Sequence, residues 1–172
     1  MHLDGTLDPL DTIHWVAATS LRANNWNPNV VMQAEFTLLE RSILETGWMQ
    51  PLLASRECIL IDGYHRWRMS QDSSRLQARY GGQVPVVLLD VTEAAAMLMT
   101  VRINRAKGTH GGLRMSELVR TLIDTHGLKP LDIQRGIGAS KDEVDLLYKG
   151  GVFKARDIAN HTYSKSWAPG VR

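Results

Sequence analysis

The run VPVVLLDV (residues 84–91) constrains the fold most, because its β-branched and leucine residues leave little room for anything but a buried strand. It leads straight into TEAAAMLMTVRINRA (92–106), whose alanines and straight-chain residues favour a helix packed through its apolar side. The same alternation precedes it. TIHWVAA has strand character, and NNWNPN follows as a turn-rich loop. From about Val31 to Glu45, Phe36, Leu39 and Ile43 recur at helical spacing, with Gly47 placed to end that helix. QPLLAS and CILID predict two short strands around the turn SRE. A polar helix through RMSQDSSRLQAR, stopped by Gly81-Gly82, then connects to the 84–91 strand. Strands alternating with helices predict an α/β layer.

After KGTHGG the pattern turns to helices only, which sets an expected division into residues 1–110 and 111–172. Met115, Leu118, Val119, Leu122 and Ile123 define one apolar helical face, closed by Gly127. Pro130 suits the first position of a second helix, and Ser140 with Glu143 has the spacing of a capping box opening a third. Two short helices separated by GAS give a helix-turn-helix outline in a small all-α carboxyl-terminal region. The tail NHTYSKSWAPGVR reads as a loosely structured end.

The chain of 172 residues is long enough for a real core, and its 44% hydrophobic and 22% charged content is that of a folded protein. A net charge of +2 permits nucleic-acid binding without demanding it. One cysteine, Cys58, excludes an intramolecular disulfide and a cysteine-rich metal site; within ECILID it reads as a small apolar side chain. No apolar run is long enough to cross a bilayer, and MHLDGTLDP lacks the cationic and apolar parts of a signal peptide. A soluble cytoplasmic protein without a membrane partner is expected.

Chemistry concentrates in LIDGYHRWRMS (60–70), where an apolar strand breaks at Asp62-Gly63 and a helix opens with His65, Arg66 and Arg68. The first amides of such a helix have no intrahelical acceptors, and the dipole adds partial positive charge there. Gly63 admits a ligand to the backbone, so the junction can seat an anion, with Arg offering paired donors to phosphate. On local sequence alone the same residues are equally a solvated helix start. Asp62 either caps the helix or holds Mg²⁺ through water. Glu35, Glu40 and Glu45 read as a solvated face, with one acid open to a role as base, and His110 has no metal-ligand spacing to another His or Cys.

The order SILETGWMQPLLA, ILIDGYHRWRMS, VPVVLLDV and a helix resembles the nuclease-like amino-terminal domain shared by ParB partition proteins and sulfiredoxins, over roughly residues 12–110. ParB proteins carry Gly-Glu-Arg-Arg at the junction, matched by Gly63, Arg66, Trp67 and Arg68 as glycine followed by a basic, partly apolar segment. Sulfiredoxins carry Gly-Cys-His-Arg, matched by Gly63, His65 and Arg66. The resemblance implies a nucleotide-binding site of Asp62, Gly63, Tyr64, His65, Arg66, Arg68, Asn104 and Arg105, with ATP or CTP and Mg²⁺ as ligands. Asn104 and Arg105 echo a second ParB motif, Glu-Asn-x-x-Arg, with Lys107 at its arginine position. Asn24, Asn27 and Asn29 resemble the family's Asn-Pro loop, and Gln50-Pro51 its strand entrance.

Tyr64 stands where sulfiredoxin has its reactive cysteine and ParB its glutamate, which argues against peroxiredoxin repair and leaves the base of the nucleotide open. Free serine kinases share the fold and an Asp-Gly-x-x-Arg opening, so NTP hydrolysis or phosphoryl transfer is the expected activity. The alternative is a DNA-binding regulator without turnover, and a nuclease ranks below both. The helical region resembles the DNA-reading half of a ParB core; Lys141, Lys154, Arg156 and Lys165 are its candidate DNA contacts, although Asp142, Glu143 and Asp145 oppose phosphate. The family resemblance also implies a phage or mobile-element setting and a homodimer as one option.

Overall fold

The computed structural model describes residues 8–26, 33–106 and 112–149. In chain order these form β1 (Ile13–Ala17), α1 (Gln33–Thr46), β2 (Leu52–Ser55), β3 (Leu60–Asp62), α2 (Tyr64–Asp72), α3 (Ser74–Tyr80), β4 (Gln83–Leu89), α4 (Glu93–Ala106), α5 (Gly112–Asp124), α6 (Pro130–Ile137) and α7 (Lys141–Lys149), with short 3-10 turns at Pro9–Asp11 and Ala18–Ser20. The chain divides into two compact units, Met1–Ala96 and Met97–Arg172. The expected boundary segment 107–111 lies outside the described residues. Most of α4 falls in the helical unit, where Leu98 packs against Gly136 of α6.

The first unit is built on a mixed sheet of order β1-β4-β2-β3, in which β4 runs antiparallel to β1 and parallel to β2. Val84, Val86 and Val87 are fully buried, as a central strand requires. Pro85 lies inside β4 rather than at its boundary. It is paired with Trp15 of β1 and has no partner on β2, which joins at Val86. The β2–β3 hairpin turns through Arg56-Glu57 and a left-handed Cys58 (φ 63°), with a register irregularity at Leu53/Ala54. The Arg22 segment covers the outer side of this hairpin: its N–H donates to Cys58 O at 2.8 Å and its carbonyl accepts from Leu60 N at 2.9 Å.

The polar helix expected across 68–79 is two helices. Ser73 takes extended backbone angles (φ −89°, ψ 110°), and its hydroxyl accepts from Leu76 N–H at 3.1 Å, so the side chain that competes with the helix in α2 caps the start of α3. The same hydroxyl donates to the Glu40 carboxylate of α1. Met69 and Leu76 bury themselves with Ile43, and Phe36, Leu39 and Leu44 pack around them.

In the second unit, Met115, Leu118, Val119 and Leu122 of α5 are buried, as are Ile133 and Ile137 of α6 and Val144 and Leu147 of α7. Gly127 (φ 65°) closes α5, with its N–H on Ile123 O and Leu128 N–H on Leu122 O. Ser140 caps α7 by accepting from Glu143 N–H at 3.1 Å. The capping box is only half made, because both Glu143 carboxylate oxygens accept from Arg105 on α4, a charged donor in place of the Ser140 amide. Among the described residues, no helix is long and apolar enough to cross a membrane.

Candidate functional site

Leu60 and Ile61 bury β3, which delivers Asp62 and Gly63 to the start of α2. Gly63 is left-handed (φ 95°, ψ 19°). A Cβ there would lie 2.5 Å from Leu52 Cδ2 and 3.2 Å from an Arg66 nitrogen, so both conformation and space demand glycine. The first intrahelical bond runs from Trp67 N–H to Gly63 O at 3.0 Å, which leaves the amides of Tyr64, His65 and Arg66 ahead of the helical pattern. Trp67 fixes the helix by donating its indole N–H to Ala18 O at 2.8 Å.

Arg66 turns inward. Its Nη1 donates to the carbonyls of Gln50 (2.6 Å) and Pro51 (3.1 Å), and its Nη2 to Asp62 Oδ2 at 3.2 Å. Both side chains are largely buried, 13% and 18% exposed. Burial lowers the guanidinium pKa, and the charge of Asp62 opposes that shift. The Gln50 and Pro51 carbonyls, just ahead of β2, thus hold this guanidinium. Arg68 is half-exposed and donates to Asp72 Oδ2 at 2.8 Å; Asp72, and after it the Tyr64 hydroxyl, raise its pKa. Each arginine of the turn therefore has an aspartate partner, and the formal charges of the two pairs cancel. The Asp72 partner is legible in the sequence as an i, i+4 spacing.

His65 sits between aromatic rings, 6.0 Å from Tyr64 edge-on and 6.5 Å from Phe36, while Tyr64 also packs on Trp67 at 5.6 Å. Asn24 donates to Leu60 O at 2.6 Å and holds its Oδ1 as a buried acceptor without a hydrogen-bond partner beside the strand that feeds the junction. Asp62, Gly63, Tyr64, His65, Arg66 and Arg68 thus form one continuous feature of the first unit. Asn104 and Arg105 belong to the second, where Asn104 is buried and Arg105 pairs with Glu143. Lys141 is exposed at the start of α7. Asn27, Asn29, Lys107, His110, Lys154, Arg156 and Lys165 lie outside the described residues, as does the Glu35 side chain. Glu40 bonds Ser73, and Glu45 accepts from Arg41 at 2.7 Å. Among the described residues, no group of three His, Cys, Asp or Glu side chains could hold a metal ion.

No protein-family model matches the sequence. The chain is 34% identical over 164 residues to the uncharacterized protein YbdM of Escherichia coli (strain K12), covering 93% of this chain and 78% of YbdM. Among solved structures it is similar to a Pnob8-like ParB-N domain (TM-score 0.57, 15% identity, 88% of this chain and 75% of that one). It is also similar to C-terminally truncated ParB from Caulobacter crescentus complexed to the centromeric parS site (TM-score 0.50, 18% identity, 78% and 69%). The same Caulobacter protein complexed with CTP-gamma-S aligns at a TM-score of 0.48, with 21% identity over 87% and 93% of the chains. The fold is that of ParB amino-terminal domains.

Proposed function

The chain belongs to the family of the Escherichia coli protein YbdM, and from that premise we propose that it is a ParB-fold protein binding a nucleoside triphosphate through its phosphates at the Asp62–Arg68 turn. The observation that carries this reading is the junction itself: a left-handed glycine that cannot be replaced, followed by a helix whose first turns hold His65, Arg66 and Arg68 and no acid. Both arginines are already paired with aspartates, so an anion held there would meet the partial positive charge of the helix's amino-terminal amides. The amides of Tyr64 to Arg66, His65 and Arg68 are the proposed contacts. The Gly-x-x-Arg resemblance to ParB and sulfiredoxin supports the same assignment.

Mg²⁺ would enter on the phosphate oxygens, with few protein carboxylates needed. Hydrolysis or transfer to a small hydroxyl acceptor is the finer part of this proposal, resting on positioning and charge stabilisation of the transferred phosphoryl group. The test is a calorimetric titration of ATP and CTP with Mg²⁺ into the wild type, His65→Ala and Arg68→Ala. Each substitution is expected to weaken binding about tenfold, the scale of one charge-assisted contact. Unchanged affinity in both contradicts the assignment. Arg66→Ala is the poorer probe, because it also removes the tie to Gln50 and Pro51.

A second reading, a DNA-associated regulator, is favoured by one observation. Arg105 neutralises Glu143 within the helical unit, removing one of the acids that weigh against phosphate at α7 and leaving Lys141 exposed at its first position. The parS-bound Caulobacter neighbour supports this reading at the level of the fold. It predicts DNA retention that falls steeply with added salt and weakens in a chain ending at Gly150. Retention as strong without the tail contradicts the tail's part in it.

A further inference from the structure

The two arginine–aspartate pairs of the α2 turn differ in kind. Arg68–Asp72 is half-exposed and screened by water. Arg66–Asp62 is not: its side chains are 13% and 18% exposed, and the guanidinium is anchored on the other side by two main-chain carbonyls. Arg66 therefore cannot swing out to reach a ligand without abandoning Gln50 and Pro51. The Asp62 carboxylate takes one N–H of Nη2, the Arg66 nitrogen nearest the place a Gly63 Cβ would occupy, so an anion is already held on the side of the guanidinium that faces the junction. Resting on the phosphate-site reading above, we infer that Asp62 is an internal anion that closes the site: a phosphate oxygen and the Asp62 carboxylate compete for Arg66 Nη2, and Mg²⁺ permits the exchange by neutralising the displaced carboxylate.

The electrostatics follow from the geometry. With Asp62 in place the buried pair is neutral and attracts an anion weakly. A guanidinium held in the same place without its carboxylate is a buried, uncompensated cation, which draws any anion that reaches it. In the wild type, free polyphosphate meets the negative charge of Asp62, whereas a divalent cation bridging carboxylate and phosphate removes that repulsion. The site should therefore discriminate strongly between free nucleotide and its magnesium complex, and Asp62 should be the source of the discrimination.

Calorimetric titrations of ATP and CTP, in Mg²⁺ and in EDTA, into wild type, Asp62→Asn and a control, Glu45→Gln, test this. The control breaks an exposed i, i+4 pair with Arg41, outside the turn. In EDTA, Asp62→Asn is expected to bind about tenfold more tightly than wild type, and its affinities with and without Mg²⁺ to converge. Glu45→Gln should match wild type within about twofold. If Asp62→Asn binds no more tightly than wild type in EDTA, or Glu45→Gln tightens binding equally, the inference is overturned while the phosphate-site reading stands. If neither wild type nor Asp62→Asn binds nucleotide under any condition, that reading fails and the inference with it. Should Asp62→Asn not fold by circular dichroism, Asp62→Ser removes the same charge and carries the same expectation.

Discussion

Asp62 and Arg66 sit four residues apart across the strand-to-helix junction, and their partnership decides how the junction behaves before any ligand arrives. Arg66→Ala removes a buried guanidinium and strands two carbonyls and a carboxylate; the expected loss is about 2–4 kcal/mol in urea unfolding. Arg66→Lys, which keeps the charge but not the fork, should lose less. A loss below about 1 kcal/mol for the alanine variant would show that Gln50, Pro51 and Asp62 do not depend on it. Gly63→Ala forces an L residue into φ 95° and a methyl into Leu52, with about 2–4 kcal/mol expected from backbone and overpacking together. The strand-to-helix junction at Asp62-Gly63 was legible in the sequence. The inward clamp was not, because it depends on where the Gln50 and Pro51 carbonyls lie, sixteen and fifteen residues away. Local spacing carries no information about such a meeting.

Elements were legible where one physical signal dominated. The β-branched run became β4, the 3.6-residue apolar pattern became α1 and α5, and Gly47, Gly127 and Pro130 ended or began helices where their backbone preferences place them. Two details escaped. The segment 68–79 reads as one polar helix because its residues are helix-compatible on both sides of Ser73, and only the hydroxyl's choice of Leu76 N–H and Glu40 makes the break. Ser73→Ala should cost about 1 kcal/mol through loss of this cap, measured as a shift in the urea midpoint. Ser140 and Glu143 satisfy a capping-box pattern, yet Arg105, thirty-eight residues earlier, takes the glutamate. Glu143→Gln should weaken that tie and lower stability by about 1 kcal/mol; equal midpoints for variant and wild type would place the pair among surface contacts of no net worth.

At the scale of the whole molecule, the order β1-β4-β2-β3 and the assignment of α4 to the helical unit are long-range outcomes of burial that alternation along the chain does not encode. The ParB-type fold itself was legible, since motif order survives where residue identity does not; two ParB neighbours of that fold share only 15% and 18% of their residues with this chain. The central claim is that the first unit holds nucleotide phosphate at the Gly63 junction. Thermal unfolding of the full chain with ATP, CTP, GTP or ADP and Mg²⁺, for wild type beside His65→Ala, tests it most directly. A nucleotide at about a hundred times its Kd stabilises the native state by about 2.7 kcal/mol, which raises the midpoint of a chain this size by about 5–10 °C. The account predicts that rise with at least one triphosphate and its reduction in His65→Ala. A midpoint unmoved by every nucleotide, or moved equally in the variant, would contradict it.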